Sequence, residues 1–271
     1  MKKNVLLYFG SFNPVHRGHI ALAEYAVERG LCDEVVLVVS PQNPLKEAAG
    51  LAPELSRFEM AEAACAASRY PDRIKASAVE FLLDRPSYTI RTLEYLEEHH
   101  GADMRFSLLM GADTAATLGR WLENDRIVGR YTIYVYPREG AETPRDAEGL
   151  VVLEDAPLLD CSSTAIREAV ERGEDVADRV GEGVAAYIRR AGLWNPVVRM
   201  QELTQRIDAG DASAEAYVER GRLHFRRNEW GKALNDFRAA LRLEPDHREA
   251  AEYVDMVEEI LAFRYIDIYN P

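Results

Sequence analysis

Val5-Leu-Leu-Tyr-Phe-Gly-Ser-Phe-Asn-Pro-Val-His-Arg-Gly-His19 joins an apolar run long enough for a buried strand to a turn bearing two glycines. Behind it, Ile20, Leu22, Ala23, Ala26 and Val27 recur at helical spacing up to Gly30, a natural stop. A strand, a tight turn and a helix start in succession aim backbone N–H groups and the positive end of a helix dipole at one spot, which suits a phosphate. His16 and His19 lie three residues apart, on one side of that turn. An imidazole pair can donate hydrogen bonds and, when protonated, steady negative charge that grows during phosphate chemistry. Spacing alone leaves three readings open: phosphate contacts, two ligands of a metal site, or a chance His-x-x-His on a polar turn. The Walker glycine pattern and GxGxxG are both absent.

Downstream, Val35-Val-Leu-Val-Val39 reads as a second buried strand, and strand–helix–strand at this spacing is a parallel crossover unit. Ser40-Pro-Gln-Asn-Pro-Leu-Lys46 is then a loop at the strand's carboxyl end, where ligands sit in open parallel sheets. Lys46 is there a phosphate contact or, equally, a solvated loop lysine. Ser56 followed by Glu59 makes a capping box for a helix through about Arg69, and Arg73 to Val79 holds a short strand. Pro86 and Ser87 begin a helix carrying Ile90 to Leu96. Its start is either only a good helix start or a place where free N–H groups and the Thr89 hydroxyl hold a carboxylate.

Arg105 to Met110 reads as a third core strand, ending in Gly111-Ala-Asp113. That Gly-x-Asp sets backbone and carboxylate against ribose hydroxyls, or Asp113 caps a helix. Trp121 is a core residue or a face for a flat heteroaromatic ring. Tyr131 to Tyr136 and Leu150 to Leu153 are further strands, and Arg138 in the polar loop between them is placed to lean over a nucleotide. Cys161-Ser-Ser-Thr-Ala-Ile-Arg167 repeats the opening theme. Ser162, Ser163 and Thr164 put hydroxyls and N–H groups at a helix start, and Arg167 follows one turn on. The group is an ordinary N-cap or a grip for a triphosphate.

With 271 residues the chain can bury a full core in one large or two smaller domains. A hydrophobic content of 47% with 29% charged residues is ordinary for a soluble protein. The net charge of −13 argues against a general nucleic-acid or anionic-membrane surface, so any anionic ligand must be held by a local cluster. Cys32, Cys65 and Cys161 are widely spaced with no Cys-x-x-Cys, which fits buried thiols in a reducing cytoplasm. The run after Asn4 is too short for a secretory segment, and no uncharged stretch approaches the roughly 20 residues of a membrane helix. The expectation is a cytoplasmic protein with neither membrane nor nucleic acid as partner.

Gly10 to His19 resembles the (T/H)xGH signature of the nucleotidylyltransferase superfamily with its preceding G-x-F-(D/N)-P. Cys161 to Arg167 resembles its second signature, (I)SSTxIR, with Cys161 in place of the usual isoleucine. Within the superfamily the resemblance is closest to the bacterial nicotinate-nucleotide adenylyltransferases and extends to about Trp194. It implies an α/β domain with a parallel, Rossmann-like sheet. It implies adenylyl transfer from ATP to nicotinate mononucleotide, giving the dinucleotide and pyrophosphate in NAD biosynthesis, with Mg²⁺ carried on ATP rather than held by protein side chains. By position, His16, His19, Arg167 and Lys46 would act on the triphosphate. Gly10, Ser11, Phe12, Gly111, Asp113, Arg138, Ser162, Ser163 and Thr164 would complete the ATP site. Tyr88, Thr89 and Trp121, with Lys46, would take the nicotinate nucleotide, although Leu122 stands where many relatives carry a second aromatic.

Two other readings stay in view. One is a sister transferase acting on nicotinamide mononucleotide, phosphopantetheine or a cytidylyl acceptor. Sister transferases acting on acceptors such as phosphopantetheine commonly have Thr at the His16 position and need neither Thr89 nor Trp121. The other is a nucleotide-regulated helical scaffold.

Leu193-Trp194 closes the first domain, and Asn195-Pro196 breaks the chain, giving domains at 1–196 and 197–271. From Ala214 to His247, Tyr217, Gly221, Ala233, Phe237, Ala240 and Pro245 fall at the aromatic, small and proline positions of a tetratricopeptide repeat. Arg220 and His224 depart from its leucine and tyrosine. Val197 to Ala209 and Arg248 to Tyr265 supply flanking helices. One repeat cannot bury its own apolar face, so this small all-α domain must pack on the first domain, on itself across a homo-oligomer, or on a protein partner.

Overall fold

The computed structural model describes residues 2–41, 51–138, 140–141, 149–158, 161–210 and 213–268. The chain divides into two compact units, Met1–Val170 with Glu174–Ala186, and Glu171–Gly173 with Tyr187–Pro271. The first contains β1 (Lys3–Gly10), α1 (Arg17–Glu28), β2 (Glu34–Val39), α2 (Glu54–Ala66), β3 (Ile74–Ser77), a 3-10 turn Val79–Leu82, α3 (Thr89–His100) and β4 (Met104–Gly111). It continues with α4 (Ala112–Ala115), a 3-10 turn Leu118–Arg120, α5 (Asn124–Arg130), β5 (Ile133–Tyr136), β6 (Leu150–Val152), α6 (Ser163–Glu171), α7 (Ala177–Val180) and α8 (Glu182–Ala191). The second holds the end of α8, then α9 (Pro196–Asp208), α10 (Ala214–Arg226), α11 (Trp230–Leu243) and α12 (Arg248–Ile268).

The six strands form one parallel sheet in the order β3-β2-β1-β4-β5-β6. Val5, Leu6, Leu7 and Tyr8 are all buried, as the continuous apolar run requires of a strand covered on both faces. A core cluster joins strand residues Val5, Leu7, Leu108, Met110, Ile133 and Val135 to Ile90 and Leu93 of α3 and Ile127 of α5. The chain runs outward through β1, β2 and β3, then returns to place β4 on the other side of β1. The connections after β1 and β4 therefore leave in opposite directions and open a crevice at the carboxyl edge.

Three helix starts differ from the sequence expectation. α2 begins at Glu54 with Pro53 as N-cap, and the Arg57 N–H closes the first turn on the Pro53 carbonyl at 3.0 Å, so Ser56 and Glu59 lie inside the helix. α3 begins at Thr89 behind an extended Tyr88, leaving Pro86 and Ser87 outside it. Gly111, not Asp113, caps α4, and Asp113 lies in its first turn. Burial pushes the thiols of Cys32 and Cys65 up to about 11 and about 12, and Cys161 is half-buried.

In the second unit, Ala214, Val218, Ala233, Phe237 and Ala240 pack with Ala250 and Val257 of α12. Leu203 of α9 packs with Ala216 and Leu223 of α10. A Cβ at Gly221 would meet the Phe237 ring at 2.7 Å, which is why that repeat position is small. The two departures from the repeat pattern are compensated. Arg220 clamps both carboxylate oxygens of buried Asp236 at 2.9 and 2.7 Å and reaches the Thr204 hydroxyl of α9 at 3.2 Å, and His224 pairs with Glu229 at 2.5 Å. The last turn of α8 is bonded to α10, Arg226 Nη2 donating to the Ala191 carbonyl at 2.8 Å. The division therefore falls within α8, ahead of Asn195-Pro196. Among the described residues no helix is long and apolar enough to cross a membrane.

Candidate active site

β1 ends at Gly10, and the turn that follows is strained. Phe12 sits at φ +44°, a conformation bulky residues rarely adopt. Its ring is held edge-on by Tyr8 at 5.6 Å and by His19 at 5.0 Å. His16 is the extended N-cap of α1, 4% exposed, and its ring stacks on His19 with centroids 3.7 Å apart. The His16 N–H donates to His19 Nδ1 at 3.2 Å. In the neutral ring this leaves the proton on His19 Nε2, a donor. Burial and the Arg138 charge lower the His16 pKa to about 4, and burial with His16 and Arg138 holds His19 well below the usual imidazole range. Both rings are therefore neutral at pH 7.

The second helix start is bonded to the first. Arg167 Nη1 donates to the Asn13 carbonyl at 2.9 Å, Arg167 Nη2 to Thr164 Oγ1 at 3.1 Å, and Ser163 Oγ to the Pro14 carbonyl at 2.9 Å. Ser162 Oγ accepts from the Ala165 N–H at 3.1 Å and caps α6. Small hydroxyls, a guanidinium and an imidazole pair thus gather around one turn.

At the neighbouring strand ends, the Tyr8 and Tyr136 hydroxyls meet at 2.8 Å, and burial raises both phenol pKa values. β5 pairs Tyr136 with Gly111, and a Cβ there would lie 3.2 Å from Tyr136 Cζ and 2.4 Å from Asp113 Oδ1. The bare Gly111 is what lets the Tyr136 ring cross β4 towards Tyr8 and lets Asp113 fold back. Asp113 Oδ1 stands 3.5 Å from Arg138 Nε.

Residues 7–169 match the Cytidylyltransferase-like family, and residues 214–247 match the Tetratricopeptide repeat. A relative named "Probable nicotinate-nucleotide adenylyltransferase" from Bacteroides thetaiotaomicron is 41% identical over 192 residues, covering 68% of this chain and 92% of the relative. The chain belongs to the nicotinate-nucleotide adenylyltransferase family. A Flavobacterium johnsoniae relative of the same name is 37% identical, with 67% of this chain and 94% of the relative covered. The fold is also that of a Plasmodium falciparum nicotinic acid mononucleotide adenylyltransferase solved with NaAD. That match has a TM-score of 0.60 at 18% identity, over 71% of this chain and 97% of that one.

Of the residues expected for an adenylyltransferase site, Gly10 to His19, Ser162 to Arg167 and the Gly111–Asp113–Arg138 group follow the carboxyl ends of β1, β6, β4 and β5. Tyr88 caps α3, Thr89 opens it, and Tyr88 and Trp121 both pack half-buried against the core cluster of the sheet. The Trp121 indole N–H donates to Thr117 Oγ1 at 3.1 Å, which fixes its ring. Lys46 lies outside the described residues.

Sequence reading missed Tyr8, Tyr136, Arg57 and Glu80. Arg57 did leave a signal. It shares the spacing of Met60, Ala61, Ala64 and Cys65, the buried stripe of α2.

Proposed function

We propose that this chain transfers the adenylyl group of ATP to nicotinate mononucleotide, releasing pyrophosphate. The observation that supports the reading is the hydrogen-bonded union of the two helix starts at Asn13 and Pro14, which gathers imidazole, hydroxyl and guanidinium groups around one turn. In the reaction a phosphate oxygen of the acceptor forms a bond to the α-phosphorus, while the bond to the oxygen bridging to the β-phosphate breaks and pyrophosphate carries that electron pair away. No protein nucleophile is involved, so catalysis is positioning and charge stabilisation.

His19 donates from Nε2 to the triphosphate, with His16 stacked behind it. This preset neutral donor stabilises the negative charge that moves to the leaving group. Arg167, Thr164, Ser162 and Ser163 hold the outer phosphates, and Lys46 assists. Gly10, Ser11 and Phe12 cradle the nucleotide by their backbone, while Gly111, Asp113 and Arg138 take its ribose and base.

Thr89 and the Tyr88 backbone at the start of α3 hold the pyridine carboxylate, and Trp121 stacks on the ring. Mg²⁺ carried on ATP would offset the charge of its phosphates. The donor set here, imidazoles, hydroxyls and a guanidinium, suits phosphate oxygens, and Asp113 is already paired with Arg138. The reaction belongs in the cytoplasm, where ATP is supplied.

Product analysis with ATP or CTP against nicotinate mononucleotide, its amide and phosphopantetheine tests the reading. Dinucleotide and pyrophosphate should form fastest from ATP and the acid mononucleotide. Preference for CTP or for another acceptor refutes it.

A further inference from the structure

Arg57 is 0% exposed, yet among the described residues its hydrogen bonds run to backbone carbonyls. Nε donates to Ala52 at 3.0 Å, Nη1 to Ser11 at 2.8 Å and to Ser40 at 2.5 Å, and Nη2 to Pro41 at 2.6 Å. One guanidinium therefore ties the turn after β1 to the segment after β2. Because a trans peptide points its N–H opposite its C=O, drawing the Ser11 carbonyl inward also fixes the direction of the Phe12 N–H.

Ser40 has a second role. Its hydroxyl bonds the carboxyl of Glu80, a residue 2% exposed in the 3-10 turn before α3. Glu80 Oε1 accepts from Thr92 Oγ1 of α3 at 2.9 Å, and its Oε2 is buried without a hydrogen-bond partner. The chain of bonds runs Ser11–Arg57–Ser40–Glu80–Thr92, from the phosphate turn to the first turn of the helix that starts at Thr89. Apolar residues of equal volume would fill this space at a smaller desolvation cost. They could not hold two loops and a helix by their polar groups.

We propose that Arg57 and Glu80 are positioning residues, joined through Ser40 into a buried strut that sets the nucleotide turn and the acceptor helix in register for in-line attack. The kinetic part rests on the adenylyl-transfer reading above; the mechanical part does not. Hydrogen-exchange mass spectrometry of the full chain without substrate reads the strut directly. Ser40→Ala and Glu80→Gln should speed exchange both at residues 11–19 and at 89–96, whereas acceleration confined to residues 77–92 overturns the proposal.

Steady-state kinetics with ATP and nicotinate mononucleotide then reads its use. Each variant, and Arg57→Lys, should lower kcat about tenfold with both KM values within about threefold of the parent. The double variant Arg57→Lys/Glu80→Gln should lose no more than the worse single one. Multiplying losses, or a raised KM at unchanged kcat, overturn it. Ser40→Ala keeps the carbonyl that Arg57 needs, so it carries the test should the arginine variant fail to fold. An inactive parent chain that still shows the two-site exchange response would refute the reaction and leave the strut standing.

Discussion

His19 is constrained on every side. Its Nδ1 is occupied by the His16 N–H and its ring is walled by Tyr8, Phe12 and His16, so Nε2 is the atom left to meet a ligand. Replacing it by alanine removes a donor where charge develops, and His19→Ala should lower turnover by about two to three orders of magnitude with the fold intact. Stopped-time assays of pyrophosphate release, alongside a thermal melt, check this, and near-normal kcat would remove the residue from the mechanism. The placement of His16 beside His19 was legible in the sequence because their spacing puts them on one side of the turn. The pairing of Tyr8 with Tyr136 was not, since it needs strands β1 and β5 brought to either side of β4 and a glycine at position 111 between them.

At the level of elements, the strands were legible. A parallel sheet covered on both faces demands apolar runs, which β1 and β2 carry unbroken and β4 carries from Leu108 to Met110 after the polar Ser107. Helix starts were less so, because Ser56 and Pro86 satisfy cap preferences that backbone bonds elsewhere override. The burial of Arg57 could be read from the α2 stripe, but its partners could not, because they are carbonyls, which leave no trace in side-chain patterns.

The repeat helices show the converse, where a departure from pattern has a visible partner. Arg220 faces the carboxylate of Asp236, 5% exposed. Restoring the repeat's leucine with Arg220→Leu would strand that charge, and the second unit should lose about 3–5 kcal/mol in urea unfolding. A neutral or stabilising effect would mean that the leucine fills the site better than the ion pair does.

Across the whole molecule, the two imidazoles tie stability to pH. The folded His16 pKa of about 4 lies below its unfolded value near 6.5, so in that window the unfolded chain binds more protons. Its contribution is complete above 6.5, drains away as pH falls towards 4, and amounts to at most about 3 kcal/mol. His19 acts in the same direction. Urea unfolding of the ligand-free chain from pH 7.5 to 4.5 should show a loss that is smaller in His16→Asn, and identical slopes would contradict the buried neutral state.

The three thiols offer a last, practical consequence. Cys32 and Cys65 are shut into the core as protonated sulfhydryls, while Cys161 is half-buried immediately before Ser162. Position 161, just ahead of α6, is therefore a labelling handle: a mild alkylating dye should mark it first. The rate of that marking should slow when ATP is present, so occupancy can be followed by fluorescence without touching any residue of the reaction itself.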